Sequence, residues 1–195
     1  MPVLVRFATQ LKRSKAIRVL DLGAGAGRHT ILLAEKGFLV TALDVSETAL
    51  QVLNHRIQER GLSNVSIVKH LIQDLPFLDE YFDAVVSTNV IHHGRSKEIR
   101  GTLGEVRRVL KRGGLALIVV LSKNDFRLGK GRLLEPCTYV FTEGEEKGIT
   151  HHFFNEKELR SYLNSFETVS LTEEILSKEG RQRAHFQAVM RKTGD

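Results

Sequence analysis

The sequence predicts an α/β fold: a doubly wound, mostly parallel sheet with helices on both faces. Three observations lead there. Apolar strand-length runs alternate with helix-period segments from about residue 17 to 121, the pattern of a parallel sheet covered on both sides. A glycine-rich turn, Gly23-Ala24-Gly25-Ala26-Gly27, follows directly on the run Val19–Leu22. Two alternating apolar segments close the chain, at about 167–174 and 183–191. Their connection, 175–182, is shorter than a parallel crossover needs, so they should pair as an antiparallel hairpin.

The elements follow in order. Residues 3–14 form a short amphipathic helix with Leu4, Phe7, Ala8 and Leu11 on one side. Strand one covers about 17–22, and its helix runs from about 28 to 36, with Gly37 as C-cap. Strand two, 39–44, leads to a helix capped by Ser46, with Glu47 in its first turn and Gly61 at its end. Strand three lies near 65–69, before the turn Asp74-Leu75-Pro76-Phe77, and strand four is 82–87. A helix fills about 96–111, and Gly113-Gly114 turn the chain into strand five at 115–121. A long polar connection, 122–150, precedes an Asn155-capped helix that reaches about Phe166. Connections of that length serve as lids or binding segments, so 122–150 is expected to be a substrate lid within a single domain spanning 1–195.

The glycine turn carries the first chemical signal. Three glycines at alternate positions let backbone amides approach a ligand where a Cβ would collide, and they open a helix N-terminus. Asp44 ends the next strand, placed to accept hydrogen bonds from ribose hydroxyls. A dinucleotide fingerprint needs its third glycine where Arg28 stands, so the pattern Asp21-x-Gly-x-Gly-x-Gly is not the NAD form.

With Asp21 before the first glycine, the chain resembles the class I S-adenosylmethionine-dependent methyltransferases. The likeness continues through Phe82–His93, similar to the family's fourth strand and following loop, and Glu105–Gly114, similar to its next helix and turn. Together these segments cover roughly residues 18–121 in family order. The resemblance implies seven strands in the order 3-2-1-4-5-7-6 with the last antiparallel, and S-adenosylmethionine as cofactor. It implies that Gly23, Ala24, Gly25 and Gly27 leave space for the methionine part, that Asp21 helps to hold its ammonium, and that Asp44 takes the ribose hydroxyls with Val45 near the adenine. The family commonly has an acid two residues after strand three for the adenine amino group. Here Leu71 stands in its place, which leaves adenine to the backbone near Leu71 and Ile72, while Thr88 and Asn89 border the site at the end of strand four.

Methyl transfer needs alignment above all, and a base only where the acceptor loses a proton. The candidates to orient or deprotonate an acceptor are Asn89, His92 and His93 after strand four, and His151 and His152 before the late helix; of these His92, His93 and His152 are expected to be catalytic. No carboxylate is spaced with these histidines as in a metal motif, so no metal is expected. Exocyclic-amine methyltransferases typically carry Asn/Asp-Pro-Pro-aromatic where this chain has Thr88-Asn89-Val90-Ile91, and Pro136-Cys137 lies in the wrong loop for a cytosine-C5 nucleophile. What remains resembles the small-molecule branch, including tellurite-resistance-like and metabolite methyltransferases, to which His151–Leu159 is also similar. An RNA or protein methyltransferase and a cofactor-binding protein without turnover are the alternatives.

The first half of 122–150 is basic, and Arg127 and Arg132 are expected to draw an anionic acceptor. The formal net charge of +6 is spread over the chain with no appended module of stacking aromatics, so a nucleic-acid partner is not expected. Cys137 stands alone, which excludes an internal disulfide. No apolar run approaches the roughly 20 residues of a membrane helix, and no leader pattern is visible at the start. A cytoplasmic protein acting on a small molecule is expected; the oligomeric state is not legible.

Overall fold

In the computed structural model, residues 2–178 and 180–194 are described; Met1, Asp195 and Glu179, which falls in the expected hairpin connection, lie outside. Helix α1 (Pro2–Arg13) buries Val3, Leu4, Phe7, Ala8 and Leu11 on one stripe. The chain then alternates: β1 (Arg18–Leu22), α2 (Arg28–Glu35), β2 (Leu39–Asp44), α3 (Glu47–Glu59), β3 (Val65–Lys69), β4 (Phe82–Thr88), α4 (Ser96–Val109) and β5 (Leu110–Leu121). Next come three short strands, β6 (Arg132–Glu135), β7 (Thr138–Val140) and β8 (Thr150–His152). Helix α5 (Glu156–Tyr162) and the long hairpin β9 (Glu167–Lys178) and β10 (Arg181–Arg191) complete the fold.

The main sheet has seven strands in the order β3-β2-β1-β4-β5-β10-β9. β1 pairs in parallel with β2 on one side and β4 on the other, Asp21 lying opposite Ala42 and Val86. The chain therefore winds outward from β1 to β3 and then crosses back to β4. A crevice opens at that reversal, outside the carboxyl ends of β1 and β4. β10 runs antiparallel to both β5 and β9, so the hairpin closes the sheet as its alternation predicts.

Burial on both faces explains the apolar density of the central strands. Leu20, Leu22, Val85, Ile118 and Val120 pack with Ile99, Leu103 and Val106 of α4 and Leu159 of α5. Val19, Val40, Val86 and Leu117 face Leu4, Phe7 and Leu11 of α1 on the opposite side. Phe7, Leu4 and Leu11 are at most 2% exposed. At about 1.5–3 kcal/mol for each buried side chain, α1 is an integral layer of the fold.

Two segments differ from the sequence expectation. Leu110 already pairs with Phe82, and residues 111–114 loop out before Leu115 resumes pairing opposite Ala84. A Cβ on Gly114 would stand 2.8 Å from Lys111 O and 3.0 Å from Asp83 O, so the detour needs glycine there. Lys111 Nζ reaches Asp83 Oδ1 at 2.6 Å from the same loop, while Asp83 Oδ2 accepts the Ile17 and Arg18 amides. The second difference is in 122–150, where β6 and β7 form an antiparallel hairpin that continues into β8. Its turn, Pro136-Cys137, has Cys137 at φ 58, the pattern of proline followed by a positive-φ residue in a type II turn. Strands of three or four residues are too short for period-two alternation to show in sequence.

Candidate active site

The turn after β1 is held from several sides. Gly23 N and Ala24 N both donate to Leu43 O of β2, at 2.8 and 3.0 Å. Gly25 N donates to Asp44 Oδ2 at 2.8 Å, and Ser46 N to Asp44 Oδ1 at 2.9 Å. The side chain of Ser46 caps α3 through Ala49 N. Asp44 thus ties the glycine turn to the start of α3, with lone pairs to spare on a carboxylate that accepts up to about four hydrogen bonds.

The three glycines do different work, although all have positive φ. A Cβ on Gly23 would run into the Val90 side chain, and one on Gly27 into Leu53. Only at Gly25 does the Cβ direction meet nothing within 4 Å. The protein's own packing therefore requires Gly23 and Gly27, whereas the bare backbone of Gly25 faces open space.

Beside the turn lies a cleft of about 330 Å³ lined by Gly23, Asp44, Val45, Leu71, Ile72, Gln73, Val90 and His93. Five of the predicted cofactor residues, Gly23, Asp44, Val45, Leu71 and Ile72, meet there, as does His93 of the predicted catalytic set. Gln73 and Val90 escaped the sequence reading. Their signal was positional: Gln73 is the polar residue of the loop after β3, and Val90 follows the end of β4 at the switch point.

Asp21 lies beneath the turn rather than in the cleft. It is 1% exposed and accepts the Thr30 hydroxyl at 2.6 Å. Burial pushes its carboxyl up to about 6, against the opposing pull of the Thr30 hydrogen bonds. Thr88 is likewise turned to an internal partner, with Oγ1 2.9 Å from His29 Nδ1. Burial, assisted by Arg28, holds the His29 imidazole down at about 4, so it is neutral. Asn89 is exposed at the end of β4 with φ 60, a conformation that asparagine tolerates better than most residues.

The histidines gather from two parts of the chain. His152 N donates to His92 O at 2.9 Å, which fastens β8 to the loop after β4. This brings His151 beside His92 and His93, with ring centroids 5.9 and 4.7 Å away, while the His92 and His93 rings lie edge to face at 4.4 Å. His92 is 2% exposed and His151 wholly buried. Burial depresses all three imidazoles, helped at His92 by His93 and His151 and opposed at His151 by Glu146; His93 is brought to about 4. His152 points elsewhere. Its Nδ1 is 2.7 Å from Thr138 Oγ1, and its Nε2 stands 3.2 Å from Glu158 Oε1, at ion-pair distance without hydrogen-bond geometry. It links β7, β8 and α5.

The basic residues of 122–150 are largely engaged. Arg127 Nε lies 2.7 Å from Asp125 Oδ1 and its Nη1 3.6 Å from Glu146. Lys123 reaches Glu158 at 3.1 Å, and Lys130 sits over the Phe126 ring. Arg132, by contrast, is exposed. Arg127 also borders a broader groove of about 800 Å³ with Phe126, Lys130, Phe141, Glu146, Arg181 and Arg183 among its walls.

A crevice at the switch point, an acid at the end of β2 and a glycine turn with one bare position coincide with a family match. Residues 19–114 match the family described as "Methyltransferase domain". This stretch is similar to a methyltransferase domain. The chain's seven-stranded architecture is shared with an S-adenosylmethionine-dependent methyltransferase from Methanosarcina mazei, with a TM-score of 0.77 and 25% identity over 91% of this chain and 93% of that one. The chain is 33% identical over 102 residues to the "Uncharacterized methyltransferase YcgJ" of Bacillus subtilis, covering 52% of this chain and 40% of that protein. It is 36% identical over 129 residues to the "Ubiquinone/menaquinone biosynthesis C-methyltransferase UbiE" of Yersinia enterocolitica, covering 64% of this chain and 47% of that protein. The chain thus spans less than half the length of these two relatives.

Proposed function

We propose that the chain is an S-adenosylmethionine-dependent methyltransferase acting on a small-molecule acceptor. The observation that carries the reading is Asp44, which lines a cleft outside β1 and β4 and whose carboxylate accepts the amide of Gly25, a glycine with an empty Cβ direction. The cradle fits the cofactor chemically. Gly25 leaves room for close backbone approach, Asp44 offers acceptor lone pairs to ribose hydroxyls, and Val45, Leu71 and Ile72 supply apolar walls for a purine, with the Gln73 amide able to donate and accept at its edge. When bound, S-adenosylmethionine supplies a methyl group already activated on a sulfonium.

The chain's own residues then have to align an acceptor and exclude water. His93 is the predicted histidine at the cleft wall, where its ring can hydrogen-bond to an acceptor and orient it. The relative named as a C-methyltransferase of quinone biosynthesis supports a small-molecule acceptor. Among the described residues no helix is long and apolar enough to cross a membrane, and a cytoplasmic setting belongs to the same reading. Residues 122–150, with the small sheet they contain, are read as the segment that selects the acceptor.

Calorimetric titration with S-adenosylmethionine, S-adenosylhomocysteine and NAD tests the cofactor, and transfer of labelled methyl into small-molecule, RNA and protein fractions of a cell extract tests the acceptor class. Binding of both sulfur cofactors with label in the small-molecule fraction is expected. Equal affinity for NAD, or label confined to macromolecules, overturns the reading.

A further inference from the structure

We propose that His92, His93 and His151 form a binding site for a divalent metal ion of the zinc class, next to the cleft that His93 lines. One ring nitrogen from each lies within 4.8 Å of the others. Zinc–imidazole bonds of about 2.0–2.1 Å place tetrahedral ligand nitrogens roughly 3.4 Å apart, so small rotations of the rings close the cluster on an ion. Three histidines are a sufficient protein ligand set for zinc, with a fourth position left to water or to an acceptor atom.

The hydrogen bonding favours a cation over a simple packed cluster. His151 Nδ1 lies 3.1 Å from Ile149 O; a carbonyl only accepts, so Nδ1 carries the proton and Nε2 presents its lone pair. Orientation of a ligating histidine by a backbone carbonyl is the usual outer-shell device at metal sites. That Nε2 is buried without a hydrogen-bond partner, and so is His92 Nδ1. Glu146 Oε2 stands 3.4 Å from His151 Nε2, so an electron-rich oxygen faces an electron-rich nitrogen unless positive charge lies between or beside them. Arg127 Nη1 lies 3.6 Å from the same Glu146 oxygen and offsets its charge, while Arg127 Nε is held by Asp125 at 2.7 Å; neither contact gives the His151 Nε2 lone pair a donor.

Sequence spacing argued against a metal because it compared neighbours along the chain. The third ligand comes from β8, nearly sixty residues further on, delivered by the His152 to His92 backbone bond. The site itself stands without the methyltransferase reading; only its position beside an acceptor rests on that reading.

The test is a titration of the chelator-treated full chain with Co²⁺, followed by visible absorption, and competition by Zn²⁺. Expected are d–d bands saturating at one equivalent, displaced by Zn²⁺, and a Zn²⁺-induced rise in Tm. His93→Ala and His151→Gln should each weaken Co²⁺ binding at least 100-fold, whereas His55→Ala, on the exposed face of α3, should not. His93 is only half-buried, so its variant guards against loss of fold, which circular dichroism checks. No saturable absorption, or binding that survives both His93→Ala and His151→Gln, overturns the proposal and leaves a neutral imidazole cluster packed on Phe141. S-adenosylmethionine affinity of the metal-free chain, measured in parallel, reports on the cofactor reading separately.

Discussion

The Gly25 amide donates to Asp44 Oδ2 at 2.8 Å, so the turn after β1 and the end of β2 are one hydrogen-bonded unit. The acid that would meet ribose is also the acid that shapes the turn. Asp44→Ala should therefore lose both roles. Hydrogen bonds to a charged group contribute about 1.5–3 kcal/mol, so S-adenosylmethionine affinity should fall at least about tenfold, with a lowered Tm. Asp44→Asn keeps one acceptor oxygen and should lose less of each. Calorimetry on folded Asp44→Ala that returns wild-type affinity removes Asp44 from the cofactor site.

The glycines make a paired test. Gly27→Ala pushes a Cβ into Leu53, and overpacking of this kind costs about 1–3 kcal/mol. Gly25→Ala meets nothing within 4 Å and carries only the backbone strain of φ +54, about 1–2 kcal/mol for a left-handed residue with a side chain. Thermal melts should thus rank Gly27→Ala as less stable than Gly25→Ala. Cofactor titration of Gly25→Val should show the opposite emphasis, a folded protein with binding lost; retained binding there separates Gly25 from the cofactor.

Acid should destabilise the chain through its buried histidines. The folded imidazoles of His29 and His93 titrate near 4, against the ordinary 6.5, and burial holds that of His92 well below the ordinary value too. Between about 6.5 and 4 the unfolded chain binds more protons, so stability is fully present above 6.5 and declines as pH falls towards 4. Asp21 acts in the opposite sense: its carboxyl titrates near 6 when folded against 3.8, so it favours the fold as pH drops through 6. Tm measured from pH 8 to 5 should fall, and fall more steeply in Asp21→Asn, which also should be the more stable protein at pH 8. A flat profile contradicts the neutral burial of these rings.

Arg127 and Arg132 should separate by experiment. Asp125, 2% exposed, accepts Ala184 N at 3.0 Å as well as the Arg127 side chain. Removing Arg127 leaves that buried carboxylate short of a partner, and Arg127→Ala should lower stability by about 1.5–3 kcal/mol, the value of a hydrogen bond to a charged group. Arg132→Ala should leave Tm unchanged and raise the apparent KM for an anionic acceptor. Tm and KM measured on both variants decide it: a KM effect from Arg127→Ala at unchanged Tm would reverse these roles.

Local signals determined much of this protein from sequence. Glycines at alternate positions favour positive φ and close backbone approach, a short β-branched and apolar run such as Leu39–Asp44 between Gly37 and Ser46 favours a strand, and Ser46 caps a helix through its own hydroxyl. Such features depend on a few neighbouring residues, so the sheet, its closing hairpin and the positions of the glycine turn and of Asp44 at the end of β2 were legible, whereas the bond that joins Gly25 to Asp44 was not. What depended on distant segments was not. Gly23 and Gly27 differ from Gly25 only because Val90 and Leu53 pack against them. Asp21 is internal because Thr30 folds back over it, and Arg127 is a structural ion partner because Asp125 is buried. The short strands β6 to β8 carried no period of their own, yet they bring His151 to His92 and His93. Chain spacing reports nearest neighbours, whereas a side chain's protonation, partners and accessibility come from whatever the tertiary structure places within a few ångströms of it.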